Sequence, residues 1–140
     1  MRSTSEVELA GHLRIAVART ARRLRQESGT GLSPSLGAAL ATIESHGPLT
    51  PSELATRERI QRPTVTRIVT RLGEAGLVTH TADPGDRRSS LITVTPAGRE
   101  LLAAARTRKD AFLSERLDAL TAEDRDTLER AATLLEGMLG

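Results

Sequence analysis

Cysteine is absent from this 140-residue chain, and Phe112 is its only aromatic residue. Without cysteine there is no disulfide, thiolate metal site, cysteine nucleophile or thiol redox switch. Without tyrosine or tryptophan the chain lacks platforms for stacking unpaired bases, so duplex DNA is a better candidate partner than single-stranded nucleic acid. No apolar run approaches the roughly 18 residues of a membrane span, and no signal segment opens the chain. We therefore expect a cytoplasmic protein that does not enter a membrane.

The net charge of the chain is small, but its positive charge is concentrated. The 20 basic and 18 acidic side chains leave a balance of +2. The isoelectric point is nevertheless about 10.3, because almost nothing titrates between about pH 8 and 12 in a chain without tyrosine or cysteine. The segment from Arg57 to Arg71 holds five arginines against Glu58 alone, a local balance of +4. Such a run is either a solvated helix face or a surface for an anionic partner.

Start and stop signals divide the chain into helices and one hairpin. Apolar residues recur at helical spacing from residue 7 to 27. Thr50 and Glu53 form a capping box, in which each side chain reaches the backbone N–H of the other residue and starts the helix at 50–58. The other helices are predicted at 34–46 after Ser33, at 62–75, from 96 to about 120 after Thr95, and from 122 after Thr121. Strands are predicted at 78–81 and 90–95, with residues 82–89 as the loop between them.

This order of elements predicts a mainly α fold with a small β-hairpin. The helices at 50–58 and 62–75 have the proportions of a helix-turn-helix, and the hairpin that follows them completes a winged helix-turn-helix. The first and last helices are amphipathic and carry more apolar surface than a small central domain can cover. We therefore expect these N- and C-terminal helices to be dimerisation helices that pair with a second copy of the chain.

The helix at 62–75 has two contrasting faces. Val65, Ile68, Val69 and Leu72 follow helical spacing and predict a buried stripe. A second helix of this kind fits the major groove of B-DNA, where Arg67 can bond a guanine edge and Arg71 is expected to meet a phosphate. The alternative is an ordinary amphipathic helix with a solvated outer face. That face carries Thr64, Thr66, Arg67, Thr70 and Arg71.

The hairpin tip, "DPGDRRS", combines two aspartates with two adjacent arginines. An arginine at the tip of a wing can enter the minor groove of DNA. Asp83 and Asp86 would oppose binding if the tip served only as a positively charged surface. We therefore expect one carboxylate to brace the guanidinium of one arginine, while the guanidinium of the other arginine stays free. The alternative is an exposed charged turn without a binding role.

Enzymatic function is disfavoured by the pattern of polar residues. His12, His46 and His80 lie on separate elements without metal-ligand spacing. Ser89 and Ser90 have no evident base partner, and no glycine-rich phosphate loop is present. We expect no catalytic residues, no metal site and no cofactor. A second function class stays open, namely a winged-helix protein-interaction module that does not bind DNA specifically.

The segment from "LTPSEL" to "TPAGREL" resembles the core of the MarR family of bacterial transcription regulators. The run "RPTVTRIVTRLGEAGLV", then "DPGDRRS", then "VTPAG" follows the family's spacing and covers about a third of the chain. The resemblance implies a single domain over 1–140, with a winged helix-turn-helix lobe at about 33–98 and a helical dimerisation region at about 1–30 and 99–140. It also implies a homodimer that represses by binding a pseudo-palindromic operator and that releases DNA when a small ligand binds.

The resemblance assigns roles to particular residues. In the wing, Arg88 would be the minor-groove arginine, Asp86 its bracing partner and Arg87 its neighbour. Two departures stand out: Gln61 replaces the serine that often caps the recognition helix, and His80-Thr81 replaces an arginine-rich pair. A pocket of small apolar side chains with one arginine would accept a small apolar or aromatic acid as effector, and the sequence assigns no residues to it. The recognition-helix residues are Gln61, Arg62, Thr64, Thr66, Arg67, Thr70 and Arg71.

Overall fold

The computed structural model describes residues 5–140 and confirms a mainly α fold with one two-stranded antiparallel hairpin. Each predicted helix is present, and the hairpin lies where it was expected. Within the described residues, no helix combines the length and the apolarity that a bilayer crossing requires. The elements are α1 (Glu6–Glu27), α2 (Pro34–His46), α3 (Pro51–Glu58), α4 (Arg62–Glu74), β1 (Val78–Asp83), β2 (Asp86–Val94), α5 (Pro96–Asp118) and α6 (Ala122–Leu139).

The described residues form two compact units. The central unit is Ser28–Arg106, and the terminal unit consists of the residues up to Glu27 together with Thr107–Gly140. The buried apolar cluster lies in the central unit, whereas neither α1 nor α6 contains a buried residue. The largest fully buried side chains of the cluster are Leu40, Ile43, Leu49, Leu54, Leu72, Ile92 and Val65.

The cap residues that the sequence indicated are in place. The Thr50 hydroxyl accepts a hydrogen bond from the Glu53 N–H at 3.1 Å, and the Glu53 carboxylate accepts from the Thr50 N–H at 3.2 Å. This reciprocal pair satisfies two backbone donors that a helix start otherwise leaves free. The Ser5 hydroxyl accepts from the Glu8 N–H at 3.1 Å at the start of α1, and this helix begins one residue earlier than predicted. The hydroxyls of Ser33, Thr95 and Thr121 likewise accept from the backbone at the starts of α2, α5 and α6.

Helix α4 ends in a glycine-dependent reversal. Gly76 has a φ of +76°, which only glycine adopts without strain. Its N–H donates to the Gly73 carbonyl at 3.0 Å, and the Leu77 N–H donates to the Leu72 carbonyl at 2.9 Å. This pair of bonds is the Schellman motif. The reversal returns Leu77 and Val78 to the core, so α4 and the hairpin share one apolar cluster.

The predicted loop at 82–89 is wrong. Strand β1 continues to Asp83 and β2 begins at Asp86, so only Pro84 and Gly85 form the turn. The Asp83 carboxylate accepts from the Gly85 N–H at 2.9 Å and closes that turn locally. Polarity alone predicts a loop here, but the Asp83 bond closes the turn tightly enough for Asp83 to pair with Asp86, and the residues at 87–89 form a bulge within β2.

The base of the hairpin is tied to both neighbouring helices. Leu49 and Ile92 exchange two backbone hydrogen bonds, at 3.1 and 2.7 Å. This isolated antiparallel bridge pairs the segment before α3 with β2. The Thr95 hydroxyl donates to the Gly76 carbonyl at 2.7 Å and accepts from the Gly98 N–H at 3.1 Å. One side chain therefore caps α5 and joins its start to the end of α4.

Replacing Gly98 with any residue that has a Cβ is expected to destabilise this junction. A Cβ at this position would lie 2.4 Å from the Leu77 carbonyl oxygen and 2.7 Å from Val94 Cγ2. We expect Gly98→Ala to lower the free energy of unfolding by about 1–3 kcal/mol, because backbone must move to relieve the contact.

Chemical denaturation of Gly98→Ala measures this effect against Gly37→Ala. Gly37 lies inside α2 with nothing within 4 Å of its would-be Cβ, so this control should gain about 0.5–1 kcal/mol from better helix propensity. Equal stability of the two variants would show that α5 does not pack closely against the Leu77 carbonyl.

Candidate nucleic-acid interface

The apolar stripe of α4 is buried as predicted, and this fixes the rotation of the helix. Val65, Ile68, Val69 and Leu72 are each at most 7% exposed. The opposite face is therefore turned outward. Thr66, Arg67, Thr70 and Arg71 are exposed, and Thr64 is half-buried towards α2.

The two exposed threonines use their hydroxyl protons inside the helix. The Thr66 hydroxyl donates to the Arg62 carbonyl at 3.2 Å, and the Thr70 hydroxyl donates to the Thr66 carbonyl at 2.7 Å. Each hydroxyl oxygen can still accept a bond, and each side chain keeps a methyl group. This surface therefore offers hydrogen-bond acceptors and methyl groups, which suit base amino groups and the thymine methyl.

The arginines of α4 differ in whether other side chains fix their guanidinium groups by hydrogen bonds. Arg62 Nη1 donates to the Ser52 hydroxyl at 2.6 Å, so α3 orients this guanidinium. Arg67 Nη2 lies 3.4 Å from the Thr64 hydroxyl, which is a weak bond at most. Within residues 5–140 the Arg71 guanidinium has no hydrogen bond or ion pair. Arg67 and Arg71 therefore keep most of their donors available to an external acceptor.

A groove between α2 and α4 adds hydroxyl groups that the sequence analysis did not assign to the interface. It has a volume of about 200 Å³. Ser33 and Ser35 line this groove from the start of α2. The capping signal at Ser33 predicts where α2 starts, and it could have indicated that these two hydroxyls lie near α4. The groove is lined by Ser33, Ser35, Leu36, Thr64, Arg67, Ile68 and Arg71.

The start of α4 lacks a side-chain cap. Gln61 occupies the cap position with extended backbone, yet its side chain accepts no bond from the helix, as its residue type predicted. Gln61 and Arg62 are exposed. The Gln61 amide is therefore free to bind a partner.

The tip of the hairpin carries a bulge that contains both arginines. Asp83 pairs with Asp86, and the next pair is Ala82 with Ser90, so the residues between Asp86 and Ser90 have no partner on β1. A bulge of this kind bends a strand and redirects its side chains. Both arginines are exposed there. The unpaired residues are Arg87, Arg88 and Ser89.

The expected brace between an aspartate and an arginine side chain is not formed. The Asp86 carboxylate accepts from the backbone N–H of Arg88 at 2.9 Å, and residues 5–140 contain no ion pair between Asp83 or Asp86 and either tip arginine. The reason is local: an aspartate readily bonds the backbone two residues ahead. Asp86 thus shapes the bulge and leaves the guanidinium of Arg88 unpaired.

The three histidines do not assemble. Across the described residues no three side chains of the metal-binding types come close enough to hold an ion. His80 instead faces the other strand of the hairpin, with Nδ1 3.3 Å from the Ser90 hydroxyl.

Helix α3, helix α4 and the hairpin together define a winged helix-turn-helix protein with a cationic outer face. Comparison with known proteins agrees with this class. The model of the MarR family matches residues 32–90. A relative from Mycobacterium bovis, the uncharacterized HTH-type transcriptional regulator Mb0904, is 39% identical over 132 residues, which cover 94% of this chain and 92% of that protein.

Solved structures of similar fold cover almost the whole chain. A putative transcriptional regulator from Pseudomonas aeruginosa is 29% identical, covers 99% of this chain and 98% of its own, and superposes with a TM-score of 0.87. An S. aureus MepR variant bound to an oligodeoxyribonucleotide is 19% identical and has a TM-score of 0.72, over 94% of this chain and 98% of its own. The chain belongs to the MarR family of helix-turn-helix transcriptional regulators, which bind DNA and are not enzymes.

The missing cap at Gln61 can be tested directly. We expect Gln61→Ser to raise the free energy of unfolding by about 0.5–1 kcal/mol, because a serine hydroxyl would accept from the free N–H groups at the start of α4. Urea denaturation measures the change, with Gln61→Ala as the matched variant that should remain within about 0.5 kcal/mol of the parent. No gain in the serine variant would mean that these N–H groups are already satisfied.

Proposed function

We propose that the protein is a homodimeric repressor that binds a pseudo-palindromic operator through α4 and the hairpin and is released by a small ligand. The observation that carries this proposal is the exposed arginine and threonine face of α4, which the buried stripe on the opposite side holds outward. A MepR variant of the same fold bound to an oligodeoxyribonucleotide supports it.

In the proposed complex, α4 lies in the major groove. Arg67 reads a guanine edge, Thr66 and Thr70 meet bases through oxygen acceptors or methyl groups, and Arg71 meets a phosphate beyond them. The bond that Arg62 donates to the Ser52 hydroxyl would pre-position that guanidinium and lower the entropy lost on binding. The residues proposed for this surface are Gln61, Arg62, Thr64, Thr66, Arg67, Thr70 and Arg71.

The hairpin supplies the second contact. We assign Arg88 to the minor groove, because Asp86 fixes the backbone of Arg88 and leaves its side chain free. Arg87 lies in the same bulge, but no side chain fixes its backbone in this way. Asp86 therefore acts as a positioning residue in this proposal.

The terminal unit supports the homodimer. Neither α1 nor α6 buries a residue within the chain, although Val17 is 48% exposed, Leu128 48% and Met138 72%. Apolar faces of this extent are rarely left in water. The charges of the two helices are opposite, with five arginines and three glutamates in α1 and five carboxylates and two arginines in α6. A second copy can satisfy both the apolar faces and these charges.

The effector is proposed to be a small apolar or aromatic acid. Within the terminal unit, Arg23 and Arg116 lie 4.9 and 4.6 Å from the centre of the Phe112 ring. Arg23 Nε already donates to the Glu27 carboxylate at 3.0 Å, so Arg116 is the guanidinium beside the ring that can attract the carboxylate of an apolar acid.

DNA binding can be tested with the promoter beside the gene. We expect Arg67→Ala to lose about 1–3 kcal/mol of binding free energy and to relax base preference, because a base contact is removed. Arg88→Ala should lose affinity mainly on A·T-rich flanks, and Arg87→Ala should lose less. Fluorescence anisotropy on operator and scrambled duplexes gives these values.

The same titration repeated at several salt concentrations separates the two function classes. A DNA-binding regulator should show a steep fall of affinity with salt, because phosphate contacts release counterions. A flat response to both salt and sequence would instead favour the protein-interaction module.

The dimer can be tested at α6. We expect Leu128→Glu to shift the protein towards the monomer, because a carboxylate cannot be buried unpaired in an apolar interface. Sedimentation equilibrium measures the shift. Asp126→Ala, on the opposite face of α6, serves as the control and should remain dimeric. A parent protein that sediments as a monomer at tens of micromolar would contradict the proposal.

A further inference from the structure

Arg59 has an unfavourable backbone conformation in the turn between α3 and α4. Its φ of 56° and ψ of 46° lie in the left-handed region, and it is the one non-glycine residue among residues 5–140 with positive φ. The Arg59 N–H donates to the Thr56 carbonyl at 3.3 Å, and the Ile60 N–H donates to the Ala55 carbonyl at 3.0 Å. These bonds form the same reversal that Gly76 makes at the end of α4, where glycine is the favoured residue.

The turn itself does not require an arginine. Ile60 packs against the core, and α4 begins two residues later, so the surrounding structure imposes the left-handed conformation on whatever residue stands at position 59. The Arg59 side chain is exposed, and within the described residues its guanidinium makes no hydrogen bond or ion pair. Residues with strained backbone conformations cluster at binding sites. There, contact with an external partner can explain why a residue other than glycine occupies the position.

We propose that Arg59 binds a phosphate of the DNA backbone beside the recognition helix. Arg59 precedes Gln61 by two positions and belongs to the arginine-rich segment between Arg57 and Arg71. The surface proposed for α4 does not include Arg59. Arg59 lies outside α4, whereas base edges are reached from within the groove-inserted helix, so its partner is the phosphate at the groove edge. The guanidinium fork suits a phosphate. This inference rests on the proposed DNA binding.

The contact predicts opposite effects on stability and on binding. We expect Arg59→Gly to raise the melting temperature by about 2–4 °C, because the strain is removed. The same variant should lose about threefold in DNA affinity per chain, equally on operator and scrambled duplex, and its slope of log affinity against log salt should fall by about 0.9 per chain bound. Arg59→Lys should retain the slope.

Two further variants separate charge from conformation. Arg59→Asn tolerates the left-handed region and retains a Cβ, but it should lose affinity as Arg59→Gly does. Arg99→Gln removes one positive charge from an exposed position in the first turn of α5, within the central unit but outside α4 and the hairpin, and should change neither affinity nor slope. Unchanged affinity and slope in Arg59→Gly would overturn the inference.

A loss confined to the operator duplex would assign Arg59 to a base and would also overturn the phosphate contact. The proposed function itself fails on a different result, in which the parent protein shows no salt-dependent binding and Arg67→Ala is neutral. If the parent protein binds DNA in a salt-dependent way and Arg59→Gly changes neither affinity nor slope, only the inference about Arg59 is rejected and the proposed function stands.

Discussion

Burial of the apolar stripe of α4 is the constraint on which the interface depends. A fully buried Val, Leu or Ile side chain contributes roughly 1.5–3 kcal/mol, and Val65, Ile68, Val69 and Leu72 are all buried. Their sum exceeds the penalties of about 1 kcal/mol each that an uncapped helix start or a left-handed arginine introduces. The stripe can therefore hold α4 in one rotation while the outer face is left to binding chemistry.

The departures from local stability rules lie together. The uncapped start of α4, the left-handed Arg59 and the bulge that contains Arg88 all occur between the end of α3 and the tip of the hairpin. By contrast, the starts of α2, α3, α5 and α6 carry regular caps. Local rules are commonly broken at functional sites and obeyed elsewhere. This distribution agrees with an interface at α4 and the hairpin.

Much of this fold follows from short-range patterns in the sequence. The Thr50–Glu53 capping box, the stop at Gly76 and the stripe of α4 each depend on residues within a few positions of one another, and all are present. The exposure of the outer face of α4 followed in the same way, because burying one face of a helix exposes the other. The hairpin loop is shorter than the polarity of its residues predicts, because the Gly85 N–H donates to the Asp83 carboxylate and closes a tight turn.

The sequence by itself determined to within about two residues where the helices begin and end, which face of α4 is apolar and which family the chain resembles, because spacing and residue type carry that information. Only the tertiary structure decided which side chains are already engaged. The Ser52 hydroxyl on α3 orients the Arg62 guanidinium on α4, and the Thr95 hydroxyl reaches the Gly76 carbonyl 19 residues away. Such bonds depend on distances and angles in three dimensions, and helical or strand periodicity does not specify them.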